Sequence, residues 1–447
     1  MPGPVLSSQG RSAASGTSPD ARDGRQGDAG GQAGVTLVDG RGRRAGWRRL
    51  ARLCGPGLVV AVAYVDPGNV ATNTQAGATL GTRLLFVVLL AGLAAMLVQY
   101  LSATLGVATG RSLAEQCRLQ YPRAATRGLW VQAEVVTMAT DVAEVIGGAL
   151  ALYLLFGVPL PVGGVLVAAV GVGLLLLGTD ERNRFQLAVA GLLTVLLTGL
   201  AYLVWRLGPG VGETVAGLRP DLSGPGALVL ATGIVGATVM PHAVYLHSAL
   251  TASRPVVGSA DAVRAALRGH RREIVVALTV AACANAAFLL IAAGAFHGDG
   301  APIPGVDGGD LEAAHAGLSS YAWPLGAAFA VVLLASGIAA SGVGTLAGDV
   351  VMQGFLRRRV PLVVRRVVTV APALVVLWLP VSVTDALVGS QVVLSFGVPF
   401  ALGPLVHLTA SRRVMGTLRV RRSVTVAAGV VAGVISALNL WLILDAL

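Results

Sequence analysis

The sequence of 447 residues contains few charged residues and no lysine. Charged residues make up 12% of the chain, against about 25% in an ordinary soluble domain. Hydrophobic residues make up 55%, the mean hydropathy is +0.75, and apolar runs of the roughly 20 residues that cross a bilayer recur along the chain. This composition excludes a single soluble domain and predicts an all-α, polytopic membrane protein.

Cysteine is also scarce, and familiar enzyme signatures do not occur in the sequence. Cys54, Cys117 and Cys283 are far apart and form no CxxC or CxxH pattern, which argues against a disulfide framework or a zinc site. The sequence contains no HExxH or GxGD protease signature and no nucleotide-binding loop. We therefore predict that the protein is not an enzyme and that it carries no cofactor.

The arginines predict a membrane topology rather than a nucleic-acid partner. The formal net charge is +11, which in a soluble chain would suggest nucleic acid, but here the arginines lie between apolar spans. They concentrate in alternate loops, and because arginine-rich loops stay in the cytoplasm, the N-terminus is predicted to be cytoplasmic. An odd number of spans then places the C-terminus, and the acidic loop 297–315, on the extracytoplasmic side.

We predict a polar tail followed by eleven membrane spans. Residues 1–48 are rich in Gly, Ser, Asp and Arg, a composition typical of a disordered segment. The predicted spans are 52–80, 83–107, 128–156, 160–179, 185–206, 226–253, 273–296, 320–356, 362–380, 383–411 and 423–445.

The first span carries polar and helix-breaking residues in the middle of an apolar run: Asp66, Pro67, Gly68 and Asn69. Pro67 has no N–H to donate to the carbonyl of Ala63, four residues earlier, and it disfavours helical backbone at the preceding residue. The interruption therefore offers a carbonyl, a carboxylate and an amide within a few residues. A carboxylate at bilayer depth indicates function rather than packing.

The sixth span is interrupted in the same way. Pro241 frees the carbonyl of Ala237, and Met240 and His242 flank the proline. Paired interrupted helices in corresponding positions mark the substrate site of inverted-repeat transporters. Oxygen donors alone would suit Mg²⁺ or Ca²⁺, but the thioether of Met240 favours a transition metal. The two interruptions together predict a metal site halfway across the membrane.

Five stretches of the sequence resemble the Nramp family of proton-coupled divalent-metal transporters. The two interrupted segments, GPGLVVAVAYVDPGNVATNTQAGA (55–78) and GATVMPHAVYLHSAL (236–250), are similar to its signature segments. The others are ATDVAEVIGGALAL (139–152), LAGDVVMQGFL (346–356) and SQVVLSFGVPFAL (390–402). The resemblance covers residues 50–445 and implies a LeuT-like fold in a transporter domain at 49–447. That fold has two inverted five-helix repeats, about 50–206 and 226–411, and an eleventh helix at about 423–445.

The resemblance also implies a set of metal ligands by matched motif position. The implied ligands are Asp66, Asn69, Met240, the carbonyls of Ala63 and Ala237, and Gln391 in the tenth span. The chain departs from the family pattern at Ala243 and Gly92, where Asn is usual, and at Asp349, where Gln is usual. These departures concern gating and the proton route more than the metal ligands.

Two carboxylates in the third span predict a proton route. Asp141 and Glu144 lie three residues apart and share one helix face. A buried carboxylate needs a countercharge or a proton, and Arg365 and Arg366 at the cytoplasmic start of the ninth span are candidate partners. His242 has a side chain that can exchange protons near neutral pH. The resemblance assigns these positions, with the carboxylate of the first interruption, to proton transport; a static structural ion pair is the alternative.

The sequence therefore predicts a secondary active transporter in the cell membrane that imports divalent transition metals, such as manganese and iron, together with protons. The expected partners are lipid, metal ion and proton, without nucleic acid, and the expected functional unit is a monomer. One alternative is a magnesium-type relative, in which we would expect another residue in place of Met240. The other is a sodium-coupled organic-solute symporter of the same fold. Its first interruption would hold a substrate carboxylate, which Asp66 would repel.

Overall fold

The computed structural model describes residues 56–176, 182–253, 260–298, 300–357 and 360–445. Every regular element within these ranges is a helix. The predicted tail at 1–48 and the first residues of the predicted first span lie outside the described residues.

The helices up to residue 216 include an interrupted pair at the start and a long helix in the middle. They are α1 (Pro56–Ala63), α2 (Pro67–Leu80), α3 (Leu85–Thr109), α4 (Leu113–Gln120), α5 (Arg123–Phe156), α6 (Leu160–Leu176), α7 (Arg182–Leu207) and α8 (Val211–Ala216).

The later helices repeat this order, again beginning with an interrupted pair. They are α9 (Ala227–Thr238), α10 (Pro241–Ala252), α11 (Ala260–Phe296), α12 (Leu311–Tyr321), α13 (Trp323–Leu356), α14 (Leu362–Trp378), α15 (Val383–Ala410), α16 (Arg412–Met415), a 3₁₀ turn (Gly416–Leu418) and α17 (Arg422–Asp445).

Eight segments in the described part of the chain are long and apolar enough to cross a membrane, judged by length and composition. They are Leu85–Thr109, Arg123–Phe156, Arg184–Leu207, Ala227–Ala252, Asp261–Phe296, Trp323–Leu356, Val383–Ala410 and Arg422–Leu444. The other three predicted spans coincide with the interrupted α1–α2 pair and with α6 and α14, which have 17 residues each. The described helices thus account for each predicted span, although these three are short or interrupted.

Two helices begin at residues that differ from the predicted span boundaries, because one helix extends beyond the apolar run and the other restarts after a break. The seventh predicted span starts at 273, but α11 begins at Ala260 and has 37 residues. Its first turns carry charged residues that a search for apolar runs passes over. The eighth predicted span starts at 320, but Ala322 is extended (φ −159°, ψ 117°) and separates α12 from α13. A proline in the first turn of α13 fits that restart.

The long helix α5 lies at the centre of the bundle and brings the functional segments together. It packs against α13, α15, α6 and α14. A Cβ on Gly147 would lie only 2.1 Å from the Cβ of Pro67, so glycine at this position lets α5 contact the first interruption. The polar face of α5 therefore lies between the α1–α2 interruption and α14.

Candidate metal centre

The first interruption spans Tyr64 to Asp66. The N–H groups of Tyr64 and Val65 donate to the carbonyls of Ala61 and Val62, both at 3.1 Å, which tightens the last turn of α1. Asp66 then adopts an extended backbone (φ −82°, ψ 167°) and caps α2. An aspartate cap followed by proline at the first helical position is a strong helix-start signal. The predicted interruption is confirmed.

The carboxylate of Asp66 is held by the amide that follows it in sequence. Its Oδ1 accepts hydrogen bonds from the backbone N–H of Asn69 at 2.9 Å and from Asn69 Nδ2 at 2.7 Å. Both side chains are buried, with 1% and 0% exposure. Because Oδ1 accepts both of these hydrogen bonds, Oδ2 of the same carboxylate accepts neither of them.

The second interruption separates α9 from α10. Val239 (φ −95°, ψ 75°) and Met240 (φ −80°, ψ 119°) leave the helical region before Pro241 starts α10. Met240 is fully buried. The interruption predicted in the sixth span is therefore present, with the thioether side chain at its centre.

Direct contacts join the two interruptions and bring in α15. Asn69 Nδ2 donates to the carbonyl of Ala237 at 2.9 Å, so the carbonyl predicted to be freed by Pro241 faces the first interruption. A Cβ on Gly68 would lie 1.7 Å from Gln391 Nε2. The amide of Gln391 therefore lies directly against the glycine of the first interruption, where only glycine leaves room for it.

Three buried oxygens at this junction accept no hydrogen bond within the described part of the chain: Asp66 Oδ2, Asn69 Oδ1 and Gln391 Oε1. We call them the unpartnered oxygens. An unsatisfied buried acceptor costs about 1–3 kcal/mol, so three of them in one place indicate that a cation or another donor completes the site. Carboxylate and amide oxygens are suitable ligands for divalent cations.

The site is unlike a conventional metal cluster. Among the residues that the structure describes, no three His, Cys, Asp or Glu side chains gather to hold a metal ion. A metal here would depend on a single carboxylate, two amides, the carbonyls of the interruptions and the Met240 thioether. The residue that would normally bond to the carbonyl of Ala63 is Pro67, which has no N–H. Metal ligation by this set stays a prediction.

A second polar cluster begins next to the second interruption. His242 Nδ1 lies 3.1 Å from Thr140 Oγ1, and that hydroxyl lies 3.0 Å from the carbonyl of Val136, to which it donates. With the hydroxyl donating to Val136, its oxygen is free to accept from the imidazole tautomer that carries its proton on Nδ1. Asp141 follows Thr140 in α5, so the imidazole is connected to the carboxylate helix.

The carboxylates of α5 are paired with arginines of α14. Arg366 forms a buried ion pair with Asp141 and donates to the hydroxyl of Ser341. Arg365 pairs instead with Glu134, with Nη2 and Oε2 3.3 Å apart. The two predicted arginines are thus both buried and paired. The partner of Arg365 is Glu134, however, which was not predicted from the sequence. Glu134 lies seven residues before Asp141 in the sequence, which is about two helical turns, so both carboxylates lie on the same face of α5.

Glu144 lies on the same face of α5 and forms no ion pair of its own within the part of the chain that the structure describes. It is buried, with 1% exposure, and its Oε2 has no hydrogen-bond partner in the described residues. A Cβ on Gly344 would lie 2.5 Å from its carboxylate oxygens, so α13 packs closely over this side chain. The guanidinium nearest to it, that of Arg366, is already paired with Asp141, and a buried carboxylate with a shared countercharge is suited to hold and release a proton.

A further buried network, not predicted from the sequence, surrounds the first interruption. Gln99 Nε2 donates to the hydroxyl of Tyr64 at 2.7 Å, and Gln99 Oε1 lies 2.8 Å from His247 Nδ1. Asn285 Nδ2 donates to the carbonyl of Tyr64 at 2.9 Å. These bonds tie the end of α1 to α3, α10 and α11. Polar residues isolated in apolar spans were the available signal.

The three departures from the family pattern lie around the site rather than in it. Ala243 is fully buried beside His242. A Cβ on Gly92 would lie 3.0 Å from the Cβ of Ala282, so this position packs α3 against α11. Asp349 accepts a hydrogen bond from Gln353 Nε2 at 2.6 Å. The neighbouring Gly348 packs closely against the guanidinium of Arg365, since a Cβ at this position would lie 2.0 Å from Nη2.

Comparisons with known proteins agree with this architecture. Residues 57–445 match the family model described as Natural resistance-associated macrophage protein-like, Nramp. The chain is 45% identical over 419 residues to the "Divalent metal cation transporter MntH" of Deinococcus radiodurans, covering 93% of this chain and 94% of that protein.

Solved structures show the same fold. A crystal structure of a mutant of the Eremococcus coleocola manganese transporter superposes with a TM-score of 0.80 and 31% identity, covering 88% of this chain and 86% of that one. Mhp1, a nucleobase-cation-symport-1 family transporter, is 16% identical with a TM-score of 0.59 over 80% of this chain and 79% of its own, and so shares the fold alone. The predicted LeuT-like fold of a multi-pass membrane protein is confirmed, and the chain belongs to the Nramp family.

Proposed function

We propose that this protein imports divalent transition metal ions, with manganese as a principal substrate, and that proton entry drives the import. The observation that carries the proposal is the group of three unpartnered oxygens where the two interruptions meet. The names of the relatives support the same substrate class, since they are described as a divalent metal cation transporter and a manganese transporter.

Each group at the junction has a distinct part in metal binding. Asp66 supplies the negative charge that a divalent cation requires, and its Oδ2 is the oxygen available to it. Asn69 and Gln391 supply neutral amide oxygens from two different segments. Met240 supplies the soft donor, which a transition metal binds more readily than Mg²⁺ or Ca²⁺ does.

The proton route that we propose begins at the metal site and follows α5. A metal that binds Asp66 displaces any proton held there, and we assign His242, the ionisable side chain beside Met240 at the second interruption, as its acceptor. The imidazole is hydrogen-bonded to Thr140, and the carboxylates of Asp141 and Glu144 continue the route. Arg366 and Arg365 balance the charge of the carboxylates and can change partners as protons pass.

The membrane setting follows from the arginine distribution. We propose that the chain lies in the cell membrane with a cytoplasmic N-terminus and an extracytoplasmic C-terminus. All the proposed ligands come from one chain, which supports a monomer as the functional unit, with lipid around it.

Uptake by purified protein in sealed vesicles tests the proposal. Manganese entry would be followed in vesicles with an inward proton gradient, with no gradient, and with an inward sodium gradient. We expect manganese entry to be fastest with the proton gradient and unaffected by sodium. Uptake that follows the sodium gradient, or that prefers magnesium to manganese, would contradict the proposal.

A further inference from the structure

A large groove separate from the metal site opens at the ends of α3 and α11 and beside the segment that precedes α17. It has a volume of about 770 Å³. Five arginines are among the residues that line it, and none of the described residues that line it is acidic. The arginines are Arg264, Arg268, Arg271, Arg419 and Arg421.

Apolar residues of α3 and α11 also line the groove and reach the outer surface of the bundle. Met96 and Leu97 of α3 and Ile274 and Val275 of α11 line it. Val275 is 45% exposed and Ile274 is buried, so the apolar wall runs from the outer surface of the bundle inward. A ligand that fills this groove must therefore combine an anionic group with an apolar one.

Two of the arginines, Arg264 and Arg419, differ in whether a neighbouring group of the protein binds them. Arg264 pairs with the exposed Asp261 at 2.9 Å on the outer side of α11, so its charge is already partly balanced. Arg419 differs, because its Nε is buried and has no hydrogen-bond partner in the described part of the chain. A buried guanidinium N–H without an acceptor is costly, and phosphate and carboxylate oxygens are the anionic acceptors whose geometry the planar guanidinium matches.

The location of the groove indicates which kind of anionic molecule it would bind. By the arginine distribution it lies on the cytoplasmic side, at the level where the spans leave the bilayer. Basic pockets between membrane helices at this level suit the headgroups of anionic lipids, which the cytoplasmic leaflet supplies. We propose that the groove binds an anionic glycerophospholipid, with its phosphodiester against Arg419 and its neighbours and its acyl chains along α3 and α11. This inference does not depend on which ion the protein transports.

Lipid binding to the purified full chain tests the proposal directly. Dioctanoyl phosphatidylglycerol and dioctanoyl phosphatidylcholine would be titrated separately, with bound lipid counted by native mass spectrometry. Two double variants remove charge from the groove on different elements: Arg268→Gln with Arg271→Gln, and Arg419→Gln with Arg421→Gln. The matched control is Arg412→Gln with Arg413→Gln, since these exposed arginines of α16 carry the same charge and do not line the groove.

We expect phosphatidylglycerol to bind in preference to phosphatidylcholine, and each groove variant to weaken its binding about thirtyfold. The control variant should bind as the unmodified protein does, and glycerol phosphate should not displace the lipid because it lacks the acyl chains. Equal loss in groove and control variants would overturn the proposal and indicate general attraction to a positive surface. Displacement by glycerol phosphate would overturn it in favour of a soluble anion, and binding without headgroup preference would overturn it as well. Size-exclusion profiles and circular dichroism would verify that each variant is folded.

Discussion

Two buried polar clusters lie side by side in the bundle, and they differ in how their charges are satisfied. At the interruptions, Asp66 has no basic partner among the ion pairs of the described residues, and one of its oxygens is unpartnered. On α5, Asp141 and Glu134 are each paired with an arginine of α14. The carboxylates of the second cluster are thus balanced by arginine side chains, whereas no described arginine pairs with Asp66.

This difference is the one expected between a carboxylate that binds a transported cation and carboxylates whose charge an arginine of the same chain balances. Placing a charge in a low-dielectric interior is unfavourable unless an opposite charge accompanies it. In this structure the arginines of α14 balance the charges of Asp141 and Glu134. A carboxylate without such a partner depends on an ion or proton that arrives from outside, which is what a transport site requires.

The substitution Asp66→Ala is the strongest way to break the comparison. Removing the carboxylate should reduce manganese uptake into vesicles to the level of protein-free vesicles, because the charge that attracts the cation is lost. Folding should suffer only by the loss of a helix cap, about 1 kcal/mol, since no fixed countercharge is stranded. The control Asp221→Ala removes an exposed carboxylate and should leave uptake unchanged. Uptake by Asp66→Ala near the unmodified rate would refute the proposed site.

The substitution Arg366→Gln should mainly lower the stability of the fold, whereas Asp66→Ala should mainly lower manganese uptake. It leaves Asp141 buried without its partner, and breaking a buried ion pair in this way costs about 3–5 kcal/mol. The melting temperature of the purified protein should therefore fall well below that of Asp66→Ala and of the control Arg413→Gln. Adding Asp141→Asn should recover part of the loss, because the stranded charge is removed. Equal melting temperatures for Arg366→Gln and Arg413→Gln would show that the Arg366–Asp141 pair does not stabilise the fold.

Much of this contrast could be predicted from the sequence, because proline, glycine and aspartate act locally. The sequence Asp66-Pro67-Gly68-Asn69 can only interrupt a helix, and the positions of the two interruptions followed directly. The pairing of Arg365 with Glu134 could not be predicted, because 231 residues separate them and their contact depends on how α14 packs against α5. The network around Tyr64 was missed for the same reason. The early start of α11 was missed because its first turns extend beyond the apolar core.

The substitution Gly68→Ala probes the junction without removing a proposed ligand. An added Cβ would lie 1.7 Å from Gln391 Nε2 and 3.0 Å from Asp66 Oδ2, so the amide must move away from the first interruption. Displacing a group that supports a metal site typically costs 10–100-fold in affinity, and we expect the manganese concentration for half-maximal uptake to rise about tenfold. The control Gly389→Ala, on the same helix as Gln391, meets no atom within 4 Å and should be neutral. An unchanged Gly68→Ala variant would mean that Gln391 takes no part.

The substitution Glu144→Gln tests whether the α5 cluster also contains a mobile charge. Glutamine keeps the shape and hydrogen-bonding ability of the side chain but cannot release a proton, and the close contact with Gly344 accepts a side chain of the same size. Manganese uptake should fall only severalfold, while its dependence on the proton gradient should weaken. An unchanged pH profile with intact proton entry would place the proton route elsewhere. The melting temperature should stay close to that of the unmodified protein, because Glu144 forms no ion pair of its own in the described residues that the change would break.

The substitution Met240→Ala should have the smallest effect on rate and the most specific effect on selectivity. Met240 is the soft donor among the proposed ligands and is fully buried. Hard cations gain little from a thioether and prefer oxygen, so its loss should weaken manganese and cadmium uptake more than that of calcium or magnesium. The space left by the side chain can also admit water, which favours a strongly hydrated ion.

Selectivity is a difference between affinities, so removing the discriminating ligand should narrow the gap between metals rather than merely slow transport. The measurement is manganese or cadmium uptake against excess calcium or magnesium, comparing the variant with the unmodified protein. Competition by the hard ions should become stronger in Met240→Ala. Met240→Leu keeps most of the apolar volume and removes only the sulfur, so it separates the donor from the space. If Met240→Leu still excludes calcium and magnesium, the sulfur is not the selective donor, and the oxygens of the first interruption must distinguish the metals by themselves.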